Sequence, residues 1–265
     1  MTKWPVGMIV PLQDPTPFSP FRPDEWPRAL DVVAASGFDG VELAITNPAL
    51  LEASEVAEAL ESKGLRLLSI TTGQAAGLEG LSLSTENEEV RRRAVARICD
   101  HMAFAEEFGA VVIVGSLRGA DGNMKLLHES LAECAASRPS VNIALEPLNR
   151  YESRLLNSIQ SAVSLSESIG ASNLGVLFDT FHANIEEVSV PEAIACAGNR
   201  LVHVHLADSN RWVPGFGHFE FTQVWNALLK LSYKHSIVLE PLPQPNADEL
   251  LAAGGRLRAE WPTGG

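Results

Sequence analysis

Four ionisable residues stand at or near the ends of apolar, β-branched runs: Glu146 after Ile143-Ala-Leu, Asp179 after Val176-Leu-Phe, His205 inside Val202-His-Val-His-Leu, and Glu240 after Ile237-Val-Leu. A buried, unpaired carboxylate is strongly disfavoured, so several converging on one place need a compensating cation. Three carboxylates and one imidazole, with no thiolate, suit a divalent ion of intermediate hardness. Mn2+ or Co2+ fits best, with Mg2+ as a further option. Any one of these residues alone reads as a loop contact or a surface group. Their shared place at the same end of four successive strands is what points to a metal centre.

Other polar residues lie near the four. His182 follows Asp179 by three positions, just beyond the strand, where it could reach a metal-bound substrate. Arg211 follows His205 by six, and its charge suits a substrate oxygen that develops negative charge; the competing reading is an ion pair with Glu220 or Asp208. His203 lies two residues before His205, so it points the same way about 6–7 Å deeper and reads as a hydrogen-bonded core histidine. Glu42, in Val-Glu-Leu, either meets an arginine close to the site or closes the barrel floor. His101, His128, His235 and the three cysteines have no partners at useful spacing and read as structural or surface groups.

Such a constellation requires strands that end at one place. Short strand-like runs alternate with amphipathic runs throughout: strands Val6–Val10, Gly40–Ile45, Arg66–Thr71, Ala110–Val114, Val141–Glu146, Leu174–Asp179, Leu201–Leu206 and Ser236–Glu240. Helices are predicted at 26–37, 53–64, 86–109, 124–137, 158–170, 190–198, 222–231 and 248–260. In the longest, Val95, Ile98, Met102 and Ala105 share one face. Eight β/α pairs without a linker or composition break predict a parallel sheet closed into a single (β/α)8 TIM barrel over residues 1–265. An open doubly wound sheet is the competitor, but no GxGxxG follows any strand. The loop between Pro11 and Pro27, with six prolines, Phe18 and Phe21, and the loop 208–221 follow strand ends and would overhang the site.

Composition narrows the function. With 33 acids against 20 Lys and Arg the net charge is −13, which repels phosphodiester backbones and argues against nucleic acid. The only basic run, Arg91-Arg92-Arg93, lies in a glutamate-rich helix and reads as a solvated face. Three widely spaced cysteines suggest neither disulfides nor a thiolate zinc site. No apolar run is long enough for a membrane span or a signal peptide, so the expectation is a cytoplasmic protein with no membrane partner.

The stretches Leu145-Glu-Pro-Leu-Asn-Arg-Tyr-Glu152, Phe178-Asp-Thr-Phe-His-Ala-Asn-Ile-Glu-Glu187, His203-Val-His-Leu-Ala-Asp-Ser-Asn-Arg-Trp-Val-Pro-Gly-Phe-Gly217 and Val238-Leu-Glu-Pro-Leu242 resemble the ketose 3-epimerases. The likeness is to the D-tagatose and D-psicose 3-epimerase group within the xylose isomerase-like barrel superfamily. It covers most of the chain, including Gly37-Phe-Asp-Gly-Val-Glu42, and is tight from Glu146 to Glu240. The resemblance implies that Glu146, Asp179, His205 and Glu240 bind Mn2+ or a similar ion, and that Glu146 and Glu240 are also the catalytic acid/base pair. It implies that His182 and Arg211 hold the substrate carbonyl oxygen and that Glu152 contacts a substrate hydroxyl or supports that pair. It further implies a sugar substrate, no organic cofactor, and a homodimer or homotetramer.

Departures from the family bear on substrate. Arg118, in Val114-Gly-Ser-Leu-Arg-Gly119, either recognises a substrate carboxylate or phosphate or pairs with a surface acid. The Phe18/Phe21 loop also differs. The Trp225/Leu228/Leu229 helix face serves either core or interface. The competing functions are an aldose–ketose or hydroxy-acid isomerase acting on sugars or sugar phosphates through the same enediolate, a phosphodiester hydrolase of the endonuclease type, and a sugar-binding module.

Overall fold

A computed structural model describes residues 4–261. Eight strands, β1 (Val6–Pro11), β2 (Gly40–Ala44), β3 (Arg66–Thr71), β4 (Val111–Val114), β5 (Ile143–Leu145), β6 (Leu174–Asp179), β7 (Leu201–Leu206) and β8 (Ile237–Leu239), pair in chain order into a closed barrel. Every pairing is parallel, and β1 meets β8 with Val6 opposite Ile237. The helices are α1 (Trp26–Ala35), α2 (Ala53–Glu61), α3 (Gly73–Glu79), α4 (Glu88–Glu106), α5 (Met124–Ser137), α6 (Ile159–Ile169), α7 (Thr180–Glu186), α8 (Val190–Ala197), α9 (Phe221–Lys230) and α10 (Ala247–Glu260). The barrel expected from the alternation is therefore what forms.

Burial separates two layers. A large cluster holds alternate strand residues such as Met8, Val10, Val41, Leu43 and Val112 together with helix residues Leu30, Ile98, Met102 and Leu131. Two small clusters, Ile9/Ala44/Leu68/Val238 and Val111/Ile113/Ala144/Leu177/Val202, contain only strand residues and fill the barrel interior. Residues in phase with this interior set include Glu42, Glu146, Asp179 and Glu240, so the period-two alternation that packs the interior also aims these carboxylates, while the extra residue Val202 in β7 resets the phase and turns His205 inward. Val95, Ile98, Met102 and Ala105 are all buried, as their spacing predicts.

Helix ends follow their chemistry. Ser158 caps α6 through the Ser161 N–H, and Gly170 closes it at φ 76°. Ser189 has an extended N-cap backbone at α8 but makes no side-chain cap bond. Strands β5 and β8 are shorter than expected, although Val112 N–H to Asn142 O and Glu240 N–H to Leu206 O continue the ladder beyond them. The short helices α3 and α7 are not anticipated by periodicity. Gly73 and Gly77 weaken the signal of the first, and the second is nucleated by the Asp179 side chain. Trp225 and Leu228 are wholly buried core residues, and Leu229 is exposed. Among the described residues no helix is long and apolar enough to cross a membrane.

Candidate active site

Glu146, Asp179, His205 and Glu240 converge at the C-terminal mouth of the barrel, and one ligand atom from each lies within 4.8 Å of all the others. His205 Nδ1 is 3.3 Å from Glu240 Oε2, 3.7 Å from Glu146 Oε1 and 3.9 Å from Asp179 Oδ2. Asp179 is divided between two tasks. Its Oδ1 caps α7 by accepting the N–H groups of Phe181 and His182, which leaves Oδ2 for the cluster.

The donor set fits a divalent cation. Glu146 Oε1 and His205 Nδ1 are both buried without a hydrogen-bond partner, a costly arrangement for groups of this polarity. Burial and the nearby Glu240 charge raise the Glu146 pKa, and the same causes push Asp179 up to about 6. Glu240 goes the other way: burial would raise its pKa, but the His205 imidazole and the Arg211 guanidinium hold it below the usual carboxylate range. Burial favours a neutral His205, yet the Glu42 and Glu240 carboxylates raise its pKa well above the ordinary value. The cluster therefore gathers acidic oxygens that share too little positive charge among themselves.

Above it lies a cavity of about 300 Å³ whose wall includes Phe18, Glu146, Glu152, His182, Arg211 and Glu240. His182 Nδ1 accepts the backbone N–H of Asn149 at 3.2 Å and meets its Nδ2 at 2.9 Å, so the neutral ring carries its proton on Nε2. That Nε2 is buried, without a partner, and 4.0 Å from Glu146 Oε1. Burial lowers the His182 pKa and keeps the ring neutral.

Arg211 is placed by a loop that its backbone strains, at φ 62°. The carboxylate of Asp208 holds this loop by accepting N–H groups from Ser209, Gly215 and Phe219. The guanidinium lies between aromatic rings, 4.4 Å from the Phe18 centroid and 4.9 Å from that of Phe181. It donates to Glu152 Oε1 at 2.9 Å and stands 3.7 Å from Glu240 Oε2. Its ion pairs are thus with Glu152 and Glu240, whereas Asp208 is spent on backbone. Glu152 Oε1 also accepts from Asn149 Nδ2 at 2.9 Å.

Two expectations are corrected. Arg118 neither faces the cavity nor meets a surface acid. It is wholly buried and donates to the carbonyls of Leu155 and Leu156, because the turn after β4 directs it beneath the β5–α6 loop. Glu42 meets no arginine; it is wholly buried inside the barrel and its Oε2 receives Ser69, His203 and His205. His203 is the expected core histidine. His101 is also buried, held between the carbonyls of Arg97 and Ile45.

The sequence reading missed Asn149, which links His182 to Glu152, and Gly115, whose missing Cβ makes room for the Glu146 carboxylate. Asn149 has no signal beyond its place between Glu146 and Glu152. Gly115 directly follows β4, where a glycine marks close approach of a neighbour.

Comparison with known proteins identifies the family and the fold. The model of the xylose isomerase-like TIM barrel family matches residues 30–258. D-psicose 3-epimerase of Enterocloster bolteae is 30% identical over 243 residues, covering 82% of this chain and 77% of the relative. L-ribulose 3-epimerase of Mesorhizobium japonicum is 29% identical, covering 86% and 79%. In fold, the crystal structure of D-psicose 3-epimerase with D-tagatose from Clostridium cellulolyticum H10 superposes with a TM-score of 0.80 at 24% identity, covering 96% of this chain and 98% of that one. The chain belongs to the xylose isomerase-like TIM barrel family, and within it to the ketose 3-epimerases.

Proposed function

We propose that the protein is a divalent-metal-dependent ketose 3-epimerase that inverts C3 of a free ketohexose or ketopentose through a cis-enediolate. The observation that carries this is the placement of Glu146 and Glu240. They come from strands β5 and β8, flank the same His205 nitrogen, and both border one cavity.

Glu146, Asp179, His205 and Glu240 would hold the ion, with Mn2+ the best match to three carboxylates and an imidazole. The ion supplies Lewis acidity that lowers the energy of the enediolate as charge develops. Inversion needs one carboxylate to remove the C3 proton on one face and another to deliver a proton on the other, and Glu146 and Glu240 take these roles. Which of them abstracts depends on the epimer bound. His182 and Arg211 border the same cavity, and the His182 Nε2–H and the Arg211 guanidinium serve as donors to the substrate carbonyl oxygen. Glu152 orients Arg211 and is free to accept a substrate hydroxyl.

Arg211 is the only Lys or Arg in the described cavity wall and is already committed to Glu152 and Glu240. This favours an uncharged sugar over a phosphorylated or carboxylated one. Incubation of the metal-loaded protein with D-fructose, D-tagatose, D-psicose and L-ribulose in deuterated water tests the reading by NMR. Deuterium at C3 with the matching epimer is the expected result. Label at C1 with aldose formation would mean isomerisation instead. Full activity of Glu146→Gln or Glu240→Gln would remove the two-carboxylate mechanism.

A further inference from the structure

We propose that Glu42 is a positioning residue that, supported by His203 and Ser69, fixes His205 as an Nδ1 ligand of the metal centre. The inference rests on the metal reading above. Glu42 is wholly buried one layer below the four ligand residues. A single oxygen, Oε2, lies 3.1 Å from His205 Nε2, 3.2 Å from His203 Nε2 and 2.5 Å from the Ser69 hydroxyl that donates to it. An ionised carboxylate only accepts, so each histidine must present N–H at Nε2. In neutral His205 the lone pair then sits on Nδ1, the atom that faces Glu146, Asp179 and Glu240.

The lower histidine is held in the same tautomer. His203 Nδ1 lies 3.3 Å from the Ser236 hydroxyl, which can donate to it. Strand irregularities bring these groups together. Between β2 and β3 the pairing steps from Val41–Leu67 to Glu42–Ser69, and between β6 and β7 from Val176–Leu201 to Leu177–His203. Each step inserts one residue, Leu68 or Val202. The first puts Ser69 beside Glu42, and the second sets His205 opposite Asp179.

Glu42, His203 and His205 are also close enough to suggest a second cation site. The three hydrogens directed at Oε2 argue against it, since an ion there would have to displace them. A carboxylate behind a ligating histidine orients the ring and raises its basicity, and losing it weakens metal affinity by roughly 10–100-fold.

The test is Mn2+ binding to the full-length, metal-stripped protein by calorimetry. Glu42→Gln keeps an acceptor but removes the charge, and should raise Kd about 10–100-fold. Ser69→Ala removes one donor and should raise Kd in the same direction by less. If Glu42→Gln fails to fold, Ser69→Ala carries the measurement. Nitrogen-15 NMR of the Mg2+-loaded wild type, which needs no variant, should show His205 protonated at Nε2 and bare at Nδ1. Unchanged Kd in a folded variant, the opposite tautomer, or two Mn2+ per wild-type chain would each overturn the proposal while leaving the upper metal site in place. A wild-type protein that binds no Mn2+ would instead remove the metal centre itself, and this inference with it.

Discussion

Gly115 and Glu146 occupy space that only glycine leaves free: a Cβ on Gly115 would overlap Oε2 of Glu146. The carboxylate is packed beside His182 and His205, so the movement open to it is toward the cavity and away from the other members of the cluster. Gly115→Ala should therefore displace a group proposed as both ligand and acid/base. A misplacement near 1 Å can cost about 100-fold in rate, and a loss of that order in kcat/KM is expected. Steady-state kinetics at saturating Mn2+ checks it, and wild-type kcat/KM would show that Glu146 has freedom the packing does not reveal.

Arg211 owes its position to its neighbours as much as to its own loop. Phe18 and Phe181 bracket the guanidinium, and Glu152 takes one of its nitrogens. A cation–π contact is worth about 0.5–2 kcal/mol, so Phe18→Ala should lower kcat/KM by roughly 2–30-fold. Arg211→Lys loses the planar fork and should cost more than Phe18→Ala. A lysine variant that outperforms Phe18→Ala would show that charge alone suffices.

The barrel and the cluster of Glu146, Asp179, His205 and Glu240 were legible in the sequence for one shared reason. Period-two alternation marks each strand, and a carboxylate that ends such a run has to face something polar. Arg118 was misread because its position after β4 resembles a mouth position, while its direction is set by the turn Ser116–Arg118 that sends it inward. Glu42 was seen but not understood, because its partners lie on β3 and β7 and their register depends on two inserted residues. Asn149 was invisible, since one amide joining His182 to Glu152 leaves no pattern along the chain.

Removal of the proposed ion should destabilise the protein, because Glu146, Asp179 and Glu240 would lose their compensating charge. At a Mn2+ concentration 100-fold above Kd, binding adds about 2.7 kcal/mol. At about 2–4 °C per kcal/mol this predicts a rise in Tm of roughly 5–10 °C over the chelated protein. Thermal melts with EDTA and with excess Mn2+ provide the measurement. Identical curves would contradict metal binding by the folded state.

Acid should loosen the loop that carries Arg211. Burial alone would raise the Asp208 pKa, but N–H groups from Phe219, Ser209 and Gly215 outweigh it and hold the pKa below the ordinary value. The ionised carboxylate therefore contributes its full stability above the unfolded pKa of about 3.9. That contribution fades as pH falls through the lower, folded pKa. Asp208→Asn should be less stable than wild type at neutral pH, with the gap narrowing as pH drops below about 4. Denaturant unfolding across that range reads the difference, and a gap independent of pH would mean that the charge contributes nothing.

Arg118 is expected to act on stability and not on substrate choice. Its guanidinium donates to the carbonyls of Leu155 and Leu156 from a fully buried position. Arg118→Met would leave the Leu156 carbonyl without a donor and the Leu155 carbonyl with only the Ser153 hydroxyl, while also removing a charge that burial disfavours. An unsatisfied buried acceptor costs about 1–3 kcal/mol, the weakened Leu155 carbonyl adds to that, and the relief of charge burial offsets part of the loss. A net loss near 2 kcal/mol corresponds to a fall in Tm of roughly 4–8 °C. The relative kcat/KM values for D-fructose, D-tagatose, D-psicose and L-ribulose should stay as in wild type. A changed preference, or new discrimination against phosphorylated ketoses, would return Arg118 to the substrate and show that the β4–α5 turn rearranges when sugar binds.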